Sequence, residues 1–148
     1  MTPTYQTNFG DQGNCMQAAI ASVLNLPLDN VPDLANDLDT GHPLWHFRAQ
    51  QMLFDVTSYY MIIGSFHPDY TLDYARYSVE TDGYYIVIGE TNKEQEHANV
   101  WNQTGFVFDP VTKGSSNKIV NPFYTVLLRK GNKEWSQKLN PRSSLLTM

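Results

Sequence analysis

The sequence has little cysteine, few positive charges and no long apolar run. Its single cysteine, Cys15, excludes an intramolecular disulfide framework and provides no cysteine pair for a metal site. Ten lysines and arginines stand against 15 acidic residues, a net charge of −5, and their scatter lacks the electrostatic footprint of a nucleic-acid binder. No run approaches the ~20 apolar residues that cross a bilayer, and the first residues do not resemble a secretion signal. We expect a cytoplasmic protein that binds neither nucleic acid nor a membrane.

The length and composition suit one packed domain. The chain has 148 residues, of which 41% are apolar and 13% aromatic, a composition typical of a globular protein. We predict a single domain over residues 1–129. The following segment, residues 130–148, is rich in lysine, asparagine and serine, and we expect it to be a loosely ordered tail.

The two halves of the sequence differ in their hydrophobic period. The first half carries apolar side chains at helical spacing, whereas the second half contains short β-branched and aromatic runs bounded by glycine. This order predicts an α+β fold in which N-terminal helices pack on an antiparallel β-sheet. The predicted helices begin at Cys15, near Asp29 and after Pro43, and the predicted strands span residues 58–64, 83–89, 97–102, 106–109 and 124–129.

Cys15 begins an apolar helical run, directly after Asn14, a residue type that favours the N-cap. The unpaired N–H groups at a helix start carry partial positive charge. That charge favours the thiolate, which is the form that attacks carbonyl carbon. The sequence therefore indicates Cys15 as a nucleophile.

His97 and Asp109 follow in the order of a base and the group that orients it. They lie in two runs that predict a hairpin. With a turn centred near Gln103, the two residues lie directly opposite each other, with Cβ atoms roughly 4.5–5.5 Å apart. Asp109 would then stabilise the imidazolium formed when His97 takes a proton from Cys15. Asn102 is an alternative orienting residue.

An acyl-transfer site also needs hydrogen-bond donors for an oxyanion. The backbone N–H of Cys15 is one candidate, and the side chain of Gln6 or Gln12 is the second, with Gln6 preferred. We place Asn14 and Trp101 at the substrate-binding cleft. Residues 66–82, with tyrosines among polar residues, are predicted to be a loop that borders the same cleft.

Simpler interpretations exist for the same residues. A lone cysteine at a helix start is often a small buried side chain, and the downstream histidine and aspartate favour catalysis over that interpretation. Among the four histidines, His42 and His46 have i, i+4 spacing, but Pro43 makes a helical His42 unfavourable. We expect no metal and no cofactor.

Several stretches carry a resemblance to a known family. They are Gln6, Gly13-Asn14-Cys15-xx-Ala18-xx-Ala21-Ser22, Gly83-Tyr-Tyr-Ile, His97-Ala-Asn-Val and Phe108-Asp109-Pro110. Together they resemble the short papain-like cysteine peptidases, which include bacteriocin-processing peptidases and small phage and bacterial proteins. The resemblance implies a papain-like fold with Cys15 as nucleophile, His97 as base, Asp109 as orienting residue and a glutamine in the oxyanion hole.

The sequence thus predicts a cysteine hydrolase acting on a peptide, an isopeptide or another amide. Its partner would be a peptide or protein substrate or a small amide-containing molecule, and the oligomeric state is left open. The alternative is an inactive scaffold that acts as a binding module, such as a phage antagonist of a host factor or small-molecule signal in the host cytoplasm. A third possibility is an acyltransferase or deamidase that uses the same thioester.

Overall fold

Three α-helices and one five-stranded antiparallel sheet form the described part of the chain, which confirms the predicted α+β class. The helices are α1 (Cys15–Leu24), α2 (Trp45–Thr57) and α3 (Thr71–Tyr77). The strands are β1 (Tyr59–Ser65), β2 (Tyr85–Thr91), β3 (Glu96–Asn102), β4 (Gly105–Phe108) and β5 (Ile119–Lys130). The structure is a computed structural model that describes residues 1–8, 14–34, 45–93, 95–111 and 118–131.

Helix α1 is buried over most of its length. Its run of small and apolar residues places Ala18 to Val23 in the core, with Ile20 fully buried. The helix ends where Asn25 adopts a left-handed conformation with φ 58°, which lets its N–H and that of Leu26 bond carbonyls of the last turn. Pro27 follows, in agreement with the predicted helix end near Leu26.

The sheet has the strand order β1-β5-β2-β3-β4 and separates two apolar clusters. The larger cluster joins α1 and α2 to alternate residues of the strands, among them Ile86, Ala98 and Val100. The smaller cluster includes Tyr85 and Val87 and is partly covered by the α3 region. Because successive strand residues point to opposite faces, the two clusters lie on opposite faces of the sheet.

The N-terminal strap, residues 1–8, connects the C-terminal half of α1 to the end of β4. The N–H of Thr2 donates to the Ser22 carbonyl and the N–H of Thr4 donates to the Ser22 hydroxyl, both at 2.9 Å. Further along, the N–H of Gln6 donates to the carbonyl of Pro110 at 2.7 Å. The strap therefore brings Gln6 to the position where β4 ends.

Residues 66–82 are not the predicted loop. They contain a short 3₁₀ turn (Pro68–Tyr70) and α3, and Tyr74 packs edge-on against Tyr85 in the smaller cluster. The helical spacing of Tyr70, Tyr74 and Tyr77 was obscured by the polar residues between them.

Two other predicted elements differ in extent. Strand β5 begins at Ile119, earlier than predicted, and includes Lys130, while residues 132–148 of the predicted tail lie outside the described residues. The helix predicted near Asp29 is a 3₁₀ turn (Leu28–Asn30), and its continuation past Leu34 lies outside the described residues. Among the residues that the structure describes, no helix is long and apolar enough to span a membrane.

Candidate active site

The β3–β4 hairpin positions His97 and Asp109 by a register that differs from the predicted one. Asn102 pairs with Gly105 and Trp101 pairs with Phe106, so the turn has two residues and is not centred on Gln103. With that register alone, Asp109 would lie opposite Ala98 and face away from His97.

A β-bulge restores the side-chain direction. Val100 pairs with Phe108, which leaves Val107 as an extra residue on β4. Continuing this register by one residue brings Asp109 opposite Asn99, on the same face as His97 and diagonal to it. The prediction of directly opposed residues was wrong, but the bulge brings the two side chains together.

The His97 ring and the Asp109 carboxylate form a short buried pair. Nε2 of His97 lies 2.6 Å from Oδ1 of Asp109, and the two residues are 7% and 6% exposed. The N–H of Val111 also donates to Oδ1 of Asp109, at 3.2 Å. This second bond fixes the carboxylate, and since Nε2 is occupied, Nδ1 is the ring nitrogen that remains for another partner.

The pKa of His97 is raised from 6.5 to about 9 by its polar neighbours. Burial by itself lowers this pKa, but the hydrogen bond with Asp109 and the nearby Cys15 thiol, together with the charges of both groups, outweigh burial. The imidazole therefore holds its proton at neutral pH. The same contacts identify the Cys15 thiol as a neighbour of the ring.

Cys15 is the first residue of α1, and its side chain is partly exposed. The first intrahelical bond runs from the N–H of Ala18 to the carbonyl of Asn14, at 3.0 Å. The N–H groups of the helix residues that come before Ala18 point away from the helix body and have no intrahelical partner. The thiol thus lies beside both an imidazolium and the positive end of a ten-residue helix.

Gln6 is 7% exposed and lies in the strap next to the end of β4. Its Nε2 donates to the carbonyl of Asn8 at 2.9 Å. Its Oε1 is buried and has no hydrogen-bond partner among the described residues. Gln12, the alternative for the oxyanion hole, lies outside the described residues.

Asn14 and Trp101 occupy positions different from those expected for substrate contacts. The Asn14 side chain is 3% exposed, and all of its polar atoms bind the chain itself. Trp101 packs edge-on against Phe66, at 5.6 Å between ring centroids, in the smaller cluster. The Asn14 amide therefore has no group left for a substrate, whereas the buried Nε1 of Trp101 has no hydrogen-bond partner among the described residues.

Gly89 is a positioning residue that sequence reasoning missed. It pairs with His97 across β2 and β3, and on its other side β5 approaches closely. A Cβ atom at this position would lie 2.3 Å from the carbonyl oxygen of Asn121 and 2.7 Å from Cα of Pro122. In the sequence, the only sign was that Gly89 ends a predicted strand bounded by glycines. The close approach of β5 becomes visible only in the structure.

No group of three or more metal-ligating side chains occurs among the described residues. His67 precedes the 3₁₀ turn and accepts a hydrogen bond from the N–H of Asp69. His42 and the side chain of His46 lie outside the described part of the chain.

Comparison of the chain with protein-family models, with curated proteins and with solved structures found no match. Any function assigned to the chain therefore depends on the geometry and chemistry of its own described residues.

Proposed function

We propose that the chain is a papain-like cysteine hydrolase that cleaves a peptide, isopeptide or other amide bond. The proposal rests on one imidazole held between a carboxylate and a thiol. His97 binds Asp109 through Nε2, and the Cys15 thiol lies near enough to the ring to help raise its pKa. A nucleophile, a base beside it and a group that orients the base are the parts needed for covalent acyl transfer.

In the proposed mechanism His97 rests as an imidazolium, since its pKa is about 9, and the Cys15 sulfur beside it reacts as the thiolate. The Cys15 thiolate adds to the substrate carbonyl carbon, whose oxygen becomes an oxyanion. The oxyanion then collapses, the carbon–nitrogen bond breaks, and His97 donates its proton to the leaving amine. A thioester remains on Cys15, with a neutral ring beside it.

The second half of the cycle uses the neutral ring as a base. His97 takes a proton from water, and the resulting hydroxide attacks the thioester carbon. The carbon–sulfur bond breaks, the acid leaves, and the thiolate–imidazolium pair is restored. Asp109 keeps the ring oriented and favours its charged form throughout.

Two donors are assigned to the oxyanion: the backbone N–H of Cys15 and Nε2 of Gln6. Nε2 carries two hydrogens, and one of them donates to the carbonyl of Asn8. The second hydrogen is the proposed oxyanion donor. Removal of such a donor typically costs about 10²–10³ in rate.

A binding module is the second candidate, favoured by a surface away from the triad. An open groove of about 470 Å³, here called the tyrosine groove, lies between α3 and the β1–β5 part of the sheet. It is lined by Ile62, Gly64, Ser65, Tyr70, Asp73, Tyr74, Tyr77, Thr125 and Leu127. This lining contains neither a cysteine nor a histidine, so a function located here would not use the chemistry proposed for Cys15 and His97.

Alkylation of Cys15 tests the catalytic proposal without a known substrate. At pH 6 we expect iodoacetamide to modify folded protein at least about tenfold faster than the same chain unfolded in urea, because the ion pair supplies thiolate where a free thiol has little. Cys15 is the only cysteine, so the rate needs no further assignment. His97→Gln should remove the difference.

The matched control is His67→Gln, which changes a histidine outside the site. It should react like the unsubstituted protein. Equal rates in folded and unfolded chains would contradict the proposal, as would an unchanged rate in His97→Gln.

A further inference from the structure

Asn14 occupies the N-cap position of α1 but does not cap the helix. An asparagine in this position ordinarily accepts a hydrogen bond from an N–H of the first helical turn. Here the backbone of Asn14 has φ −107° and ψ 36°, and its side chain makes no cap bond. The N–H groups at the start of α1 are therefore left without a side-chain acceptor from Asn14.

The Asn14 side chain is directed at the strap instead. Oδ1 accepts from the N–H groups of Thr7 and Asn8, both at 2.9 Å. Nδ2 donates to Oγ1 of Thr7 and to Oε1 of Gln17, both at 3.0 Å. Two acceptor positions and two donor hydrogens are the full capacity of an asparagine amide, so the side chain is completely used.

These bonds join Gln6 to the helix that carries the thiol. The carbonyl of Asn8 accepts from the backbone N–H of Asn14 and from Nε2 of Gln6. The backbone N–H of Gln6 in turn donates to Pro110, the residue after Asp109. A continuous set of contacts thus runs from Asp109 through Gln6 and Asn14 to Cys15.

Gln6 retains an unsatisfied acceptor inside this set. Its Oε1 is buried without a partner among the described residues, in a residue that is only 7% exposed. Native structures rarely keep such an atom, and those that do often have a functional reason. The bonds of Gln6 to Asn8 and Pro110 hold the residue in place next to the end of β4.

We propose that Asn14 is a positioning residue for the hydrolase site. Its side chain does not cap the helix start and instead binds the strap that carries Gln6. The uncapped N–H groups are then available to the thiolate and the oxyanion, and the Gln6 amide stays beside them. The inference rests on the proposed function of Cys15. The titratable groups that face the His97 ring are Cys15 and Asp109.

Two substitutions separate the two parts of this role. Asn14→Gly removes the clamp and provides no side-chain cap, whereas Asn14→Ser removes the clamp and provides a good cap. Both should slow p-nitrophenolate release from p-nitrophenyl acetate by about tenfold or more, since Gln6 is an assigned oxyanion donor. Only Asn14→Ser should also slow iodoacetamide alkylation at pH 6, by about two- to fivefold, and move the alkylation profile to higher pH.

Thr2→Val is the matched control. It loosens the same strap at its far end, where Oγ1 of Thr2 donates to Oδ1 of Asn25 at 2.9 Å. Both reactions should be unchanged in this variant, which would show that loosening alone does not explain the losses.

Thr7→Val covers the case in which the Asn14 variants do not fold. It removes one of the four bonds while Asn14 remains, and it should slow ester turnover by about two- to fivefold. Unchanged ester turnover in Thr7→Val would overturn the inference, as would the same alkylation profile in folded Asn14→Ser and Asn14→Gly. Slow alkylation of the unsubstituted protein would instead overturn the proposed function itself.

Discussion

The triad corner and the tyrosine groove are opposite in character. The triad corner, made of Cys15, His97, Asp109 and Gln6, concentrates buried polar groups whose hydrogen bonds connect three separate parts of the chain. The tyrosine groove has about 470 Å³ of open space but mainly aromatic, aliphatic and hydroxyl side chains. One region brings together the groups proposed to react, and the other is an open groove whose lining contains neither a cysteine nor a histidine.

This difference shows which kind of observation indicates a reaction. Burying an ionisable pair is costly unless its members bind each other, so a retained pair of His97 and Asp109 beside a thiol needs an explanation. A groove with exposed tyrosines is an ordinary surface feature that becomes a site only when it has a ligand. The proposal of catalysis therefore rests on the buried pair of His97 and Asp109, and the presence of a groove does not support it.

The largest expected difference between the two regions is in turnover. Cys15→Ala and His97→Gln should each reduce p-nitrophenyl acetate turnover by at least about 10³-fold, because the nucleophile or its proton donor is lost. Tyr77→Ala, in the groove, should leave turnover within about twofold. The rates are measured by p-nitrophenolate release under single-turnover conditions.

A loss of turnover in Tyr77→Ala that matches the loss in Cys15→Ala would break the comparison. It would mean that the groove, and not the triad corner, controls the reaction.

A second expected difference is in stability, and two glycines offer a matched pair. Gly89→Ala, beside His97, should destabilise the protein by about 1–3 kcal/mol, because the new Cβ would meet backbone atoms of β5 at 2.3 and 2.7 Å. Gly64→Ala, in the groove, meets only Oγ1 of Thr125 at 3.9 Å and should be neutral or slightly stabilising. Urea unfolding measures both.

Equal free energies of unfolding for the two variants would indicate that β5 yields easily at Gly89. In that case the close packing of β5 and β2 would not be what holds His97 in place.

The smallest expected difference is in the pH dependence of stability. The pKa of His97 is about 9 in the folded chain and 6.5 as its ordinary value, so the folded state holds a proton that the unfolded state has released between these values. This contribution to the free energy of unfolding is complete below pH 6.5 and is lost as the pH rises through about 9. Asp109→Asn lowers the pKa of His97, so its destabilisation should be largest near pH 6 and smaller at pH 9.

Asp73→Asn, in the groove, is the control and should show no such trend. Urea unfolding at several pH values measures the effect. A destabilisation by Asp109→Asn that does not vary with pH would contradict the assigned charge interaction between Asp109 and His97.

Local patterns predicted much of the fold. The apolar run after Asn14 predicted α1, and the run at 97–102 predicted β3, because burial and side-chain alternation act over neighbouring residues. Helix α3 was not predicted, since Tyr74 and Ala75 contact the sheet while polar residues surround them in sequence. A tertiary contact stabilises this helix, and the local pattern does not display it.

For the candidate site, residue types and their order along the chain were enough to select side chains that the structure brings close together. Cys15 at a helix start, followed by His97 and Asp109, could be selected because few residue types serve as nucleophile, base and orienting group. The role of Asn14 could not be predicted in this way, because the same residue type serves both as an N-cap and as a strap clamp.

The sequence by itself determined which side chains could react and most of the segments that form helices or strands, since both follow from residue chemistry and short-range spacing. Only the tertiary structure decided that these side chains meet. One extra residue at Val107 reverses the face on which Asp109 points, and the strap brings Gln6 across from α1 to Pro110. Such contacts depend on register and on packing between distant segments, where a shift of a single residue changes the outcome.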